Sequence, residues 1–222
     1  MSTVLVIGAS RGIGLEFVRQ YRAAGVRVIA TARDDAGLAR LKTLDATALR
    51  IDVASPASIS GLAWQLDGEK IDVALYVAGV MARSGATTPP TLEEFDQVLH
   101  TNVLGAMQAI PQVAPLVEAA NGRFVFISSD MAQLAGVGSS HGWTYRVSKA
   151  ALNMAVASAQ HDYPGAILAA MSPGWVQTDM GGPSGQLGVD ESVSAMRRAI
   201  AALTPADKGA FLHRDGRHFD AW

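Results

Sequence analysis

Tyr145 and Lys149 stand four residues apart in the run Trp-Thr-Tyr-Arg-Val-Ser-Lys, a spacing that places both on one face of a helix. An ammonium beside a phenol favours the phenolate, so this pairing predicts a tyrosine pKa drawn down from its ordinary value of about 10. A phenol tuned in this way can give and retrieve a proton as general acid and base. Any amphipathic helix can also carry Tyr and Lys at this spacing. The pair acquires chemical meaning only from the elements that present it.

The first such element is Val4 to Ile7, a short β-branched apolar run of the kind that forms a strand buried on both faces. It leads into Gly8-Ala-Ser-Arg-Gly12-Ile-Gly14 and then into a helical pattern through Leu15, Val18 and Tyr21, with Gly25 placed to stop the helix. Strand, glycine-rich turn and helix together make a phosphate cradle. Gly8 permits a tight turn, while Gly12 and Gly14 let phosphates approach backbone N–H groups at the helix start. The spacing G-x-x-x-G-x-G differs from the commoner G-x-G-x-x-G dinucleotide fingerprint.

The end of the second strand, Val26 to Thr31, chooses between cofactors. An acid there would hold the ribose 2′-OH of NAD, and an arginine would accept the 2′-phosphate of NADP. Arg33 follows the strand and Arg11 lies in the glycine loop, so two guanidiniums facing one phosphate are expected. Asp34 is the competing signal and keeps NAD(H) open. Its position past the strand predicts a helix start instead, and NADP(H) is favoured.

The remaining chain alternates strands and helices. Ala48 to Ile51 forms a third strand ending in Asp52-Val53, and Ser55-Pro56 opens a helix with Ile59, Leu62 and Leu66 on its apolar face. Ile71 to Val77 runs into Ala78-Gly79. Thr91-Leu-Glu-Glu94 predicts a capping box for a long helix containing Asn102, with bends before Pro111 and Pro115. Arg123 to Ile127 delivers Ser128, Ser129 and Asp130; Ala166 to Met171 ends at Ser172-Pro173-Gly174-Trp175. Asp190 is placed to cap a helix to about Leu203, and Gly209 to His213 forms the last strand. This pattern predicts one doubly wound, Rossmann-like α/β domain over residues 1–222, with a mainly parallel seven-stranded sheet. Ligands bind outside the strand carboxyl ends in such sheets, where Gly8, Arg33, Asp52, Gly79, Ser129 and Gly174 all fall.

Composition narrows the partners. The chain of 222 residues has a net charge of -2 and no basic cluster, which argues against nucleic acid or an anionic membrane as partner. Cysteine is absent, so disulfides, thiolate catalysis and zinc–thiolate sites are excluded. The histidines at 100, 141, 161, 213 and 218 show no metal-ligand spacing. No apolar run reaches the ~18 residues of a membrane span, and the strand-like start without a basic leader makes the cytoplasm the expected location. Trp64 and Trp222 are expected to pack.

Gly8-x-x-x-Gly12-x-Gly14, Asp52-Val53, Ala78-Gly79, Asn102-Val103, Ser129, Tyr145-x-x-x-Lys149 and Pro173-Gly174, in this order across the whole chain, resemble the short-chain dehydrogenase/reductase family. Gly-Leu-Glu-Phe-Val after the glycine loop, Pro-Gly-Trp-Val-Gln-Thr-Asp-Met and the ending in Trp222 resemble its C-factor and sniffer-type carbonyl reductase branch. The resemblance implies an NADP-dependent oxidoreductase acting on a small carbonyl or alcohol. It implies that Tyr145 protonates the carbonyl oxygen, Lys149 lowers the tyrosine pKa and holds the nicotinamide ribose, Ser129, with Ser128 as the alternative, binds the substrate oxygen, and Asn102 positions a water. Gly8, Ser10, Arg11, Gly12, Ile13, Gly14 and Arg33 are expected at the cofactor phosphates. Asp52 and Val53 belong at the adenine, Ala78 and Gly79 at its ribose, and Pro173, Gly174, Val176 and Thr178 at the nicotinamide end. Relatives also make a homodimer or homotetramer the expected assembly.

Three departures stand out. Ile7 replaces the usual threonine, and Tyr76-Val77 replaces two asparagines. The lid segment between Thr178 and Asp190 is short and glycine-rich, which predicts an open pocket and a bulky or loosely selected substrate. A non-catalytic nucleotide-binding regulatory protein on the same fold is the competing reading.

Overall fold

The computed structural model describes residues 2–222. Seven strands form one sheet in the order β3-β2-β1-β4-β5-β6-β7, comprising β1 (Thr3–Ile7), β2 (Arg27–Ala32), β3 (Thr47–Arg50), β4 (Val73–Tyr76), β5 (Arg123–Ile127), β6 (Ile167–Ser172) and β7 (Phe211–His213). Every neighbouring pair is parallel. The order reverses direction at β1, opening the crevice where ligands of such sheets lie.

Helices cover both faces. One apolar layer joins Phe17, Val18 and Tyr21 of α1 (Gly12–Ala23) and Val193, Met196 and Ile200 of α8 (Val189–Ala202) to the sheet. The other joins Ala106, Ile110 and Val113 of α6 (Gly105–Glu118) and Leu152 and Val156 of α7 (Trp143–Ala159) to Phe124 and Phe126 of β5. Such two-sided burial explains the continuous apolar strands.

Local chemistry modifies several expected helices. The stretch after Ser55-Pro56 is two short helices, α3 (Pro56–Ile59) and α4 (Leu62–Gln65), parted at Ser60-Gly61. Ile59, Leu62 and Leu66 are nevertheless buried. Thr91 caps α5 (Leu92–Leu99) by accepting from the Glu94 N–H. The Glu94 carboxylate does not complete a box; it accepts from Ser84 at 2.7 Å and Thr144 at 3.3 Å. The long helix is irregular at a π-helical turn, His100–Leu104, whereas α6 runs through Pro111 and Pro115. Gly188, not Asp190, occupies the N-cap of α8. Trp64 is 83% exposed rather than packed in the core, whereas Trp222 stands edge-on to Phe211.

Candidate active site

The glycine loop leaves β1 and enters α1 with little room for side chains. A Cβ on Gly8, whose φ is +87°, would lie 2.5 Å from the Ala78 nitrogen, and one on Gly14 would overlap the Gly8 carbonyl oxygen. Gly12 is different: its φ of +53° needs glycine, but a Cβ there meets nothing closer than 3.6 Å. The hydroxyl lost at Ile7 is supplied from the next strand. Thr31 Oγ1 accepts from the Gly8 N–H at 3.0 Å, and the Thr31 carbonyl accepts from the Ala9 N–H at 2.8 Å. Arg11, at the N-cap of α1, makes no side-chain cap, so the first-turn N–H groups remain directed at the cleft.

Beyond the loop lies a cavity of about 680 Å³ lined by Gly8, Ser10, Arg11, Gly12, Ile13, Gly14, Arg33, Asp52, Val53, Ala78, Gly79, Ser129, Tyr145, Lys149, Pro173, Gly174, Val176 and Thr178. Of the sequence-derived candidates, only Asn102 lies behind this surface. At the end of the cavity beside β2, Asp34 caps α2 (Asp35–Thr43) by accepting from the Gly37 N–H at 2.7 Å. One of its carboxylate oxygens, Oδ1, is thereby engaged by the helix. Arg11 and Arg33 both line the cavity, and Arg11 pairs with Asp179 at 3.0 Å. Arg40 lines the same cavity and donates to the Ser10 carbonyl at 2.9 Å. Sequence reading missed Arg40; the available signal was its place inside α2, directly after the cofactor-selecting loop.

At the other end, β5 delivers two serines with different surroundings. Ser128 is buried and donates to Asn153 Oδ1 at 2.6 Å. Ser129 faces the cavity, which Tyr145 also lines, and its oxygen accepts from the Met131 N–H at 3.1 Å. Tyr145 and Lys149 share one face of α7, and the Lys149 Nζ lies 5.7 Å from the tyrosine ring centre.

The expected lowering of the Tyr145 pKa is not found. Burial pushes the phenol up to about 12; the Ser129 hydroxyl pulls it down, and the Asp130 carboxylate adds to the rise. Burial pushes the Lys149 ammonium down to about 8. Lys149 Nζ donates to the Ile127 carbonyl at 2.7 Å, so its nearest partner is backbone and desolvation dominates both groups.

Asn102 sits in the π-turn, fully buried. Its Oδ1 accepts from the Val80 N–H, and its Nδ2 donates to the Val80 carbonyl and to Ser148 Oγ, all at 2.9 Å. Ser148 in turn donates to the Tyr145 carbonyl at 2.7 Å. The amide thus clamps the cleft floor to the helix carrying Tyr145. A Cβ on Gly79 would lie 3.4 Å from Asn102 Oδ1 and 3.5 Å from Lys149 Nζ; this glycine fills the gap between the two.

The segment from Trp175 to Leu187, expected as a short open lid, is a bonded strap rather than a free loop. Gln177 N–H donates to the Leu187 carbonyl, Trp175 Nε1 to Gly181, and Gln177 Nε2 to Gly185, at 2.8–2.9 Å. Arg11 ties it to the glycine loop through Asp179, and Arg83 ties it to the opposite wall through the Met180 carbonyl at 2.8 Å.

Residues 2–186 match the family model for short chain dehydrogenase. The chain is 36% identical over 149 residues to the C-signal of Myxococcus xanthus, covering 66% of this chain and 90% of that protein. It superposes on the carbonyl reductase Sniffer of D. melanogaster with a TM-score of 0.90 at 26% identity, covering 100% of both chains. A short-chain dehydrogenase/reductase from Burkholderia multivorans with bound NADP gives a TM-score of 0.88 at 29% identity, covering 100% of this chain and 99% of that one. The chain belongs to the short-chain dehydrogenase/reductase family, in its C-factor and Sniffer-like branch.

Proposed function

We propose that this protein reduces a carbonyl to an alcohol with NADPH, Tyr145 being the proton donor. The observation that carries the reading is the meeting of the Ser129 hydroxyl, the Tyr145 phenol and Lys149 in one cleft with an uncapped, glycine-lined helix start. NADP in the B. multivorans relative supports the cofactor choice, as do Arg33 and Arg40 at the adenosine end and the engagement of Asp34 in a cap. The backbone of residues 8–14 would hold the pyrophosphate, Arg33 and Arg40 the 2′-phosphate, and Lys149 the nicotinamide ribose. When bound, the nicotinamide supplies the hydride.

The protein's own groups do the rest. Ser129 donates a hydrogen bond to the substrate carbonyl oxygen, and Tyr145 transfers its proton to that oxygen as the carbon becomes tetrahedral. A phenol held near 12 is protonated at neutral pH, so the resting site is set for reduction. Lys149, with a pKa of about 8, can return a proton to the tyrosine at neutral pH. Asn102 acts as a positioning residue, holding Val80 and Ser148 and, through Ser148, the backbone of Tyr145.

Fluorescence titration with NADPH and NADH, on wild type, Arg33→Ala and Arg40→Ala, tests the cofactor half of this reading. NADPH should bind more tightly than NADH, and each variant should weaken NADPH by about tenfold or more while leaving NADH nearly unchanged. Preferential NADH binding would overturn the choice of cofactor.

A further inference from the structure

A second cavity, of about 580 Å³, opens at the amino-terminal end of the sheet, away from the cleft at the strand carboxyl ends. Strand register fixes one of its walls. Val4, Val73 and Arg123 stand side by side across β1, β4 and β5, so their side chains leave the same face of the sheet. That face is the one covered by α1 and α8, where Val4 and Val73 pack with Tyr21 and Ile200. Arg123 is therefore sent under the two helices, and its Nη2 donates to the Leu203 carbonyl, just past the end of α8, at 3.3 Å. Arg197 enters the same cavity from α8. Its guanidinium carbon lies 4.4 Å from the centre of the Tyr21 ring, and its Nη1 donates to Gln20 Oε1 at 3.3 Å. The exposed Arg198 is a third arginine in the lining.

Against these three arginines the described lining holds a single carboxylate, Asp72. It accepts from the Thr3 N–H at 2.7 Å. Among the described residues no carboxylate pairs with Arg123, Arg197 or Arg198, although Arg11, Arg19, Arg22, Arg27, Arg50 and Arg217 each have one. Arg123 and Arg197 are half-buried, and the Nε–H of each is buried without an acceptor. Drawing like charges out of water with no counter-charge is costly. A buried donor left without a partner marks a place that an ion or water completes. One N–H of each guanidinium is engaged in the bonds above, which leaves donors in the fork geometry that matches an oxyanion.

We propose that this cavity is a phosphate-binding site, separate from the catalytic cleft, in which Arg123 and Arg197 hold the phosphate group and Arg198 adds to the attraction. The bound dianion offsets the mutual repulsion of the arginines and supplies the counter-charge that the protein provides elsewhere with carboxylates. Val4, Val26, Val73 and Ile200 line the same cavity, so the phosphate ester of a small apolar group and free phosphate share the chemistry that is recognised. The site stands on residues outside the cleft and does not depend on the reductase reading.

The test is calorimetric titration with inorganic phosphate and with phenyl phosphate, at saturating NADPH so that the phosphate positions of the cleft are filled, together with thermal melts against chloride at matched ionic strength. Phosphate should bind wild type and raise its melting temperature. Arg123→Gln and Arg197→Gln should each weaken phosphate by about tenfold, and Arg198→Gln by about threefold. Arg33→Ala and Arg40→Ala should leave it unchanged. Tighter binding of phenyl phosphate than of phosphate would identify an ester as the occupant, and equal affinity the free ion. Should Arg123→Gln or Arg197→Gln fail to fold, the exposed Arg198→Gln decides. No binding up to about 20 mM phosphate, or binding that survives the three arginine variants, overturns the proposal. Loss confined to Arg33→Ala or Arg40→Ala places the phosphate in the cleft and overturns it equally. The same comparison of variants locates the phosphate in protein that takes up no NADPH, so failure of the cofactor reading is distinguishable from failure of this one.

Discussion

The Tyr76 hydroxyl donates to the Thr101 carbonyl at 2.8 Å inside the core, and it fits there because residue 105 is glycine. A Cβ on Gly105 would lie 2.5 Å from that hydroxyl oxygen and 2.7 Å from the Val53 carbonyl oxygen. Thr101 and Gly105 bracket Asn102 in the π-turn. The bulky residue that replaces a small amide in β4 is therefore bonded to the segment presenting Asn102, and its ring stacks with Phe126.

Gly105→Ala should destabilise the fold by about 1–3 kcal/mol through overpacking, and Tyr76→Phe by about 1 kcal/mol through loss of a buried hydrogen bond. Because the two positions touch, the double variant should be more stable than the sum of the single effects predicts. Urea denaturation of the four proteins measures the coupling. Strict additivity would mean that the contact does not matter.

The glycine loop predicts a ranking. Gly14→Ala forces a Cβ into the Gly8 carbonyl and should abolish measurable NADPH binding, whereas Gly12→Ala adds only local backbone strain, of about 1 kcal/mol. NADPH titration with a parallel thermal melt separates the two. Equal losses in both variants would remove the steric argument.

Lys149 carries a stability cost that depends on pH. Its folded pKa, about 8, lies below its ordinary value of 10.5, so from pH 8 to 10.5 the unfolded chain binds the extra proton and stability rises with pH. Tyr145 acts oppositely, its folded pKa of about 12 exceeding 10.0, so it adds a fall in stability between pH 10 and 12. Lys149→Met should therefore exceed wild type in stability at pH 7, with the advantage shrinking by pH 9.5. Urea midpoints at the two pH values check this, and a constant difference would contradict it. The carbonyl reduction rate of wild type should also decline above pH 8 as Lys149 loses its proton.

The sheet was legible because parallel strands buried on both sides are continuous apolar runs, as Val4 to Ile7 and Arg123 to Ile127 show. Residues at strand ends were legible for the same reason, and Gly8, Ser129 and Gly174 all line the cleft. Departures arose where long-range contacts decide. Thr31 anchors the glycine loop from the next strand, and Glu94 is drawn from its cap to Ser84 and Thr144. The Tyr145 expectation failed for another reason. Spacing placed Lys149 on the right face but carried no information about depth, and burial outweighs the neighbouring charge.

The most direct test of the account is NADPH-dependent reduction of 2-hydroxyacetophenone by Tyr145→Phe, which removes one hydroxyl and leaves the ring. Turnover should fall by about 10²–10⁴-fold, while NADPH affinity stays within about threefold of wild type. Turnover within a few-fold of wild type would contradict the assignment of Tyr145 as the proton donor.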